Sequence, residues 1–310
     1  MGVRSAQSRM PTTILFLTSP DICFQEDILH EGLDELLGPE RVYCYPYKDY
    51  SVFQYNFYDE PADGPGHRRP VELIDILDMC EAFDAVIVGS IRPEAVAVWR
   101  EIQDRFPRCP VALLHGEERG GWPAGIRYTH RFKMEMYSLE PDLFPLPLAA
   151  PPRVMLPADT ERDIAVSFVA RPTVEVRVWC AELLRRQGYT VYLGADLPRD
   201  QFCWILNRSK IAVSLRGVAW DTFRYWEIPY HGALLLSERL PILIPDNFVD
   251  GESAVFFGSP GDMLDKIEAL LADPERLARI AAAGQALSRA KHTSTARARY
   301  VLEKMGILPS

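Results

Sequence analysis

The sequence predicts an α/β protein built from two parallel-sheet, Rossmann-like domains that face each other across a cleft. Three observations carry this. Short apolar runs alternate with helical patterns from Thr13 to His115, the rhythm of βαβ units. The rhythm restarts at Ile164, after a stretch from Leu143 to Pro157 that is rich in proline and alanine and poor in charge. The 310 residues suffice for two domains of roughly 150 residues. The hinge is expected between about Leu148 and Asp163, giving domains 1–155 and 156–310.

Composition narrows the classes. Hydrophobic residues make up 48% and charged residues 25%, so neither half reads as disordered. No run approaches the ~18 apolar residues of a membrane span, and the start MGVRSAQSRM lacks a signal-peptide core, so a soluble cytoplasmic protein is expected. A net charge of -9 argues against bulk affinity for nucleic acid or anionic lipid, because both require a basic face. The six cysteines show no C-x-x-C pair and no histidine at metal spacing, and read as buried thiols.

Thr13 to Thr18 is a continuous apolar run bounded by Ser19-Pro20, suited to a strand buried on both faces. Ile28, Leu33, Leu36 and Leu37 then return at helical spacing, and Gly38-Pro39 ends that helix. A second strand covers Arg41 to Tyr45. From Tyr47 to Pro70 the pattern dissolves into a long loop with six aromatics, Tyr50 and Tyr55 among them. Loops of that length are usually binding loops or lids, so these rings are candidates for an acceptor, for pinning the loop, or for packing on a second copy of the chain in a homodimer. Order returns with a helix over Val71 to Cys80, a strand at Asp84 to Gly89, a helix from Pro93 to Phe106, and a strand from Pro110 to His115. His115 and the following Glu117 lie at a strand's carboxyl end, where open α/β sheets bind ligands. The alternative is a turn with solvated acids.

In the second half, strands are expected at Ile164–Val169, Val191–Gly194, around Ile211–Leu215, around Ile242–Ile244 and at Ala254–Phe257. Helices are expected at about 199–207, 261–272, 274–289 and 294–305. Gly194 ends its strand where a side chain would crowd a bound base, or is a plain turn glycine. The stretch Ser214 to Glu238, SLRGVAWDTFRYWEIPYHGALLLSE, concentrates the chemistry: a strand end, a loop with Arg216 and Gly217, then a helix bearing Arg224 and Glu227. Asp221 reads as that helix's N-cap, and Pro229 should stop or kink it. Glu227 could be a surface acid paired with Arg224, but Trp220, Tyr225 and Trp226 make its surroundings more apolar than a solvated face.

The segment Arg224-Tyr-Trp-Glu227-Ile-Pro with Gly232 resembles that of the CgeB-like (spore maturation protein) glycosyltransferases, and the likeness extends over about Asp163 to Leu308. The resemblance implies the GT-B architecture, with the last helix crossing back onto the first domain. It implies transfer of a sugar from a nucleoside-diphosphate sugar to an unknown acceptor, with retention of configuration, without metal and with no other cofactor. It further implies donor binding by Arg171, Arg177, Gly194, Arg216, Gly217 and Arg224, ribose hydroxyls accepted by Glu227, and His115 facing the donor sugar. Three departures stand out: Met134 where the family's F-K-R-E segment has arginine, Ala170 where related turns have glycine, and Ala219 where many relatives carry a second acid. A non-catalytic nucleotide- or sugar-binding protein of degenerate GT-B fold is therefore the alternative. The absence of any D-x-D triplet accords with a diphosphate held by side chains and helix termini.

Overall fold

The computed structural model describes residues 12–46, 69–117, 120–194 and 197–309. Within them the chain forms two wholly parallel sheets. The first holds β1 (Ile14–Leu17), β2 (Val42–Tyr45), β3 (Arg69–Pro70), β4 (Ala85–Val88), β5 (Val111–His115), β6 (His130–Lys133) and β7 (Leu143–Pro145), in the order β3-β2-β1-β4-β5-β6-β7. Its helices are α1 (Phe24–Leu37), α2 (Leu73–Asp78) and α3 (Pro93–Ile102). The second sheet holds β8 (Ile164–Ala170), β9 (Thr190–Leu193), β10 (Ser209–Ser214), β11 (Leu234–Glu238) and β12 (Val255–Phe257), in the order β12-β11-β10-β8-β9. Around it lie α4 (Glu175–Arg186), α5 (Arg199–Arg208), α6 (Phe223–Tyr230), α7 (Pro260–Leu271) and α8 (Pro274–Lys291), followed by α9 (Ser294–Lys304).

The apolar runs form these strands because parallel sheets are covered on both faces, so every side chain of β1 and β4 is buried. Strand order reverses between β1 and β4 in the first sheet and between β8 and β10 in the second. Those switch points open crevices at the strands' carboxyl ends.

The structure departs from the expectations at several points. No strand forms at Ile242–Ile244, because Pro241 and Pro245 remove donors on both sides, and the Leu243 amide instead bonds the Met136 carbonyl at 2.7 Å. Two strands that the sequence pattern conceals, β6 and β7, extend the first sheet. β6 reads HRFK with one fully buried side chain, and β7 is a three-residue edge strand ending in proline. Asp221 does not cap α6: Thr222 holds the N-cap position without a side-chain bond, and the Asp221 carboxylate turns inward.

The last helix is not part of the second domain's core. Ala298, Val301 and Leu302 of α9 are fully buried among Ile14, Phe16 and Leu29 of the first domain. The approach to α1 is close: a Cβ added at Gly32 would lie 2.0 Å from the Ser294 carbonyl oxygen. The linker is tied to the same region, with the Ala150 amide on the His292 carbonyl at 2.9 Å and the Ser294 amide on the Ala150 carbonyl at 3.0 Å.

His292 and Arg297 fill this junction. Both are buried, the Arg297 guanidinium donates to the carbonyls of Pro147, Leu148 and Lys291, and His292 Nε2 lies 2.9 Å from the Asp246 carbonyl. Burial first, and then Arg297, hold the His292 imidazole down at about 3. The folded ring therefore binds its proton more weakly than the unfolded chain does. Its contribution to stability is fully present above pH 6.5, its ordinary value, and is lost as pH falls toward 3. In urea melts at pH 7 and pH 5, His292→Gln is expected to lose about 2 kcal/mol less than the wild type over that interval. An equal acid loss in both proteins would show that the ring is not held neutral.

Candidate active site between the two sheets

Two cavities lie at the two switch points and share a wall. One, of about 310 Å³, sits at the carboxyl ends of β8 and β10 and is lined by Arg171, Thr173, Arg177, Gly217, Thr222 and Arg224, among others. The other, of about 420 Å³, sits at the carboxyl ends of β1, β4 and β5 and is lined by Ile22, Cys23, Arg92, Gly116, Glu117 and Met134, among others. Phe24, Leu148, Ala219 and Asp221 belong to both. The cleft thus joins a strongly cationic chamber to a more acidic one.

The cationic chamber is built by short loops. Arg177, on the first turns of α4, is buried and donates to the Arg171 carbonyl at 3.1 Å, to Thr173 Oγ1 at 3.1 Å and to the Leu215 carbonyl at 2.9 Å. It ties the loop after β8 to the loop after β10. Burial first, and then the neighbouring Arg224, bring its pKa down to about 10, so it stays charged at neutral pH. Gly217 packs against it: a Cβ there would come within 3.4 Å of the Arg177 guanidinium. Arg171 is exposed at the rim.

Arg224 is held on three sides. Its Nε donates to the Val169 carbonyl at 3.1 Å, its guanidinium lies 4.0 Å from the centroid of the Phe202 ring, and it is ion-paired with Glu227 Oε2. Glu227 Oε1 takes a second bond, at 2.7 Å, from Arg199. At 3% exposure Glu227 is a buried acid. Burial alone would raise its pKa, and the two arginines overcome this and hold it below the usual carboxylate range.

This geometry changes the expectation for Glu227, which is neither a surface acid nor part of the cavity lining: both oxygens are engaged by arginines. The signal for Arg224 was its i,i+3 spacing, whereas Arg199 lies 28 residues away and on another helix. Arg216 and Gly194 also lie outside the lining. The Arg216 guanidinium packs 4.9 Å from the centroid of Trp220, and its amide bonds Glu238. The Gly194 amide bonds the Ala170 carbonyl at 3.0 Å, and a Cβ there would meet the Tyr192 ring at 3.3 Å.

His115 ends β5 and is not among the residues lining the cavity. It is buried, its Nε2 lies 3.2 Å from the Gly120 carbonyl, and its ring meets Trp122 edge-on at 5.1 Å. Desolvation lowers its pKa. Glu117 does face the cavity, where it accepts from Arg92 Nε at 2.6 Å. Tyr50 and Tyr55 lie outside the described residues.

Asp221 is the residue the sequence reading undervalued. Its oxygens accept from the Leu148 amide at 2.6 Å and from Trp226 Nε1 at 2.8 Å, and its own amide donates to Glu135 Oε1 at 2.7 Å. Burial raises its pKa to about 6, with the Leu148 bond opposing the rise. It is a carboxylate at neutral pH.

Two switch-point cavities closed face to face by two parallel-sheet domains define an architecture found in known proteins. A glycosyltransferase from Rickettsia africae superposes with a TM-score of 0.63 at 9% identity, over 97% of this chain and 100% of that one. An alpha-glucosyltransferase solved with UDP and a 13-mer DNA containing an HMU base gives 0.62 at 10% identity, over 95% and 99%. Anabaena HepE, solved with UDP and glucose, gives 0.61 at 10% identity, over 96% and 100%. The fold is GT-B. At these identities the likeness carries the fold and nothing finer. Residues 162–303, which span the GT-B domain containing the cationic chamber, match the family model described as glycosyl transferase-like. Together, fold and family match support a transferase. No functionally curated protein matches the chain in sequence. No described helix of this GT-B chain is long and apolar enough to cross a membrane.

Proposed function

We propose that the protein transfers a sugar from a nucleoside-diphosphate sugar to a hydroxyl acceptor, with retention of configuration and without a metal ion. The observation that carries this reading is the convergence of Arg171, Arg177 and Arg224 on one switch-point chamber that opens into a second. Negative charge builds on the diphosphate as the glycosidic bond breaks, and preorganised cations stabilise it where it develops. Arg171 and Arg224 meet the diphosphate, Arg177 holds the loops that shape its seat, and Glu227 keeps Arg224 in place rather than binding ribose. The acceptor oxygen attacks the anomeric carbon from the leaving-group side. The breaking bond's electrons go to the phosphate oxygen, which takes the hydroxyl proton. UDP is the first donor base to test, because two structures of this fold contain it. The division near residue 155, with an acceptor domain before it and a donor domain after it, and the CgeB-like relationship of Arg224 to Pro229 belong to the same reading.

The test is a thermal-shift series with UDP, GDP and TDP, with and without EDTA. A ligand at a hundred times its Kd adds about 2.7 kcal/mol to stability. Arg171→Ala, at an exposed position, is expected to weaken nucleotide binding roughly 10- to 100-fold by removing one charge-assisted bond. Failure of every nucleotide to stabilise the wild type would remove the donor from this chamber, and loss of the shift in EDTA would make binding metal-dependent.

A further inference from the structure

The second cavity has a composition that selects among acceptors. Its apolar surface comes from Phe24, Ile22, Met134 and Leu148. Phe24 is 42% exposed although it opens a helix at the centre of the cleft, and its ring meets Phe223 of the opposite domain edge-on at 5.4 Å. Phe223 thus braces one edge of a partly open aromatic ring.

The charged groups point the same way. The lining contains the carboxylates of Glu117 and Asp221, and Arg92 is the cation among its described residues. Arg92 is already engaged by Glu117 at 2.6 Å and by the Ile22 carbonyl at 3.1 Å, with Asp21 4.0 Å away. A carboxylate offers about four acceptor sites, so the half-buried Glu117, bonded by Arg92 Nε, retains capacity for a hydroxyl, whereas the buried Asp221 is turned to Leu148 and Trp226. An incoming anion would meet two carboxylates and an occupied arginine, and like-charge juxtaposition is a strong barrier to binding. A ring of C–H groups carries slight positive charge, complementary to the negative face of an aromatic ring.

We infer that this cavity takes a neutral, hydroxylated ring as acceptor, stacked on Phe24 with its hydroxyls toward Glu117, and discriminates against anionic rings. The inference rests on the transferase reading for the word acceptor, and the cavity's preference is separately measurable. A volume of about 420 Å³ is within the range of small-molecule sites.

The experiment is saturation-transfer NMR on the full chain in the presence of UDP. The neutral probes are methyl β-glucopyranoside and methyl α-mannopyranoside, and the anionic probes are glucuronate and glucose 6-phosphate. At least one neutral glycoside is expected to bind, with both anions at least ten-fold weaker. Phe24→Ala should weaken the glycoside at least ten-fold, while Phe24→Trp, which keeps an aromatic face, retains it. Anions binding as well as the glycosides, neither glycoside binding, or an unaffected Phe24→Ala would each overturn the inference. A wild-type thermal-shift series with UDP, GDP and TDP run alongside separates the two ideas. Glycoside binding without a shift from UDP, GDP or TDP sinks the donor reading and leaves the cavity's preference standing, whereas a nucleotide shift without glycoside binding sinks this inference alone.

Discussion

Glu227→Gln is expected to destabilise the protein by about 3–5 kcal/mol, a fall in melting temperature of roughly 10 °C. The carboxylate lies between Arg199 and Arg224, and the pair and acid together carry a net charge of +1. Removing the acid leaves two buried or half-buried guanidinium groups facing an amide, so the desolvation of both goes uncompensated. Arg199→Met is expected to cost less than half as much, because it leaves a neutral Arg224–Glu227 pair. Urea denaturation of both variants and of the double mutant would measure the coupling. Equal losses in the two single mutants would contradict the charge argument. The pH dependence has a definite sign. Because the folded pKa of Glu227 is lowered, its contribution is present above its ordinary value of 4.5 and is lost as pH falls below that through the folded pKa.

The second large effect is expected at Gly32→Ala. In an exposed helix interior this exchange stabilises by up to about 1 kcal/mol. Here the methyl group would lie 2.0 Å from the Ser294 carbonyl oxygen and 2.9 Å from the Thr295 amide nitrogen. Both are backbone atoms at the start of α9, so no side-chain rotation relieves the clash and the helices must separate. Overpacking of this kind costs about 1–3 kcal/mol, and the upper end is expected because backbone moves. The readout is a melt together with hydrogen exchange of the α9 amides, which should lose protection before the rest of the protein. A stabilised Gly32→Ala would mean that α1 and α9 are not packed at this distance.

The elements read most easily from the sequence were those whose burial writes itself into composition. β1, β4, β5 and β8 are apolar runs between turn residues, and α1 ends at Gly38-Pro39. β6 and β7 lie toward one edge of their sheet, where a strand needs fewer apolar side chains, so HRFK and LFP look like loop. The run at Ile242–Ile244 had the composition of a strand without the amide donors. At the site, Gly217 follows a strand end and Arg224 lies on the signature helix, whereas Arg171 and Arg177 were named through the family resemblance. Asp221 sits where an N-cap is expected, and only the fold shows its carboxylate turned to Leu148 and Trp226. Phe24 and Arg199 carry no local signal: their roles come from contacts with Phe223 and Glu227, far away in sequence.

The seat of α9 on the first domain has a consequence for biosynthesis. A ribosome emits β1 to β7 well before Ala298, Val301 and Leu302, and at ~5–20 residues per second the interval is roughly 10–30 s. During that time the groove over Ile14, Phe16 and Leu29 is without its cover. The first domain therefore cannot complete its interior until α9 has emerged, although it is made first. The second domain, whose core is completed by Leu277, Ile280 and Ala281 of α8, has all of its own parts before α9 emerges. Order of emergence and order of completion are thus inverted.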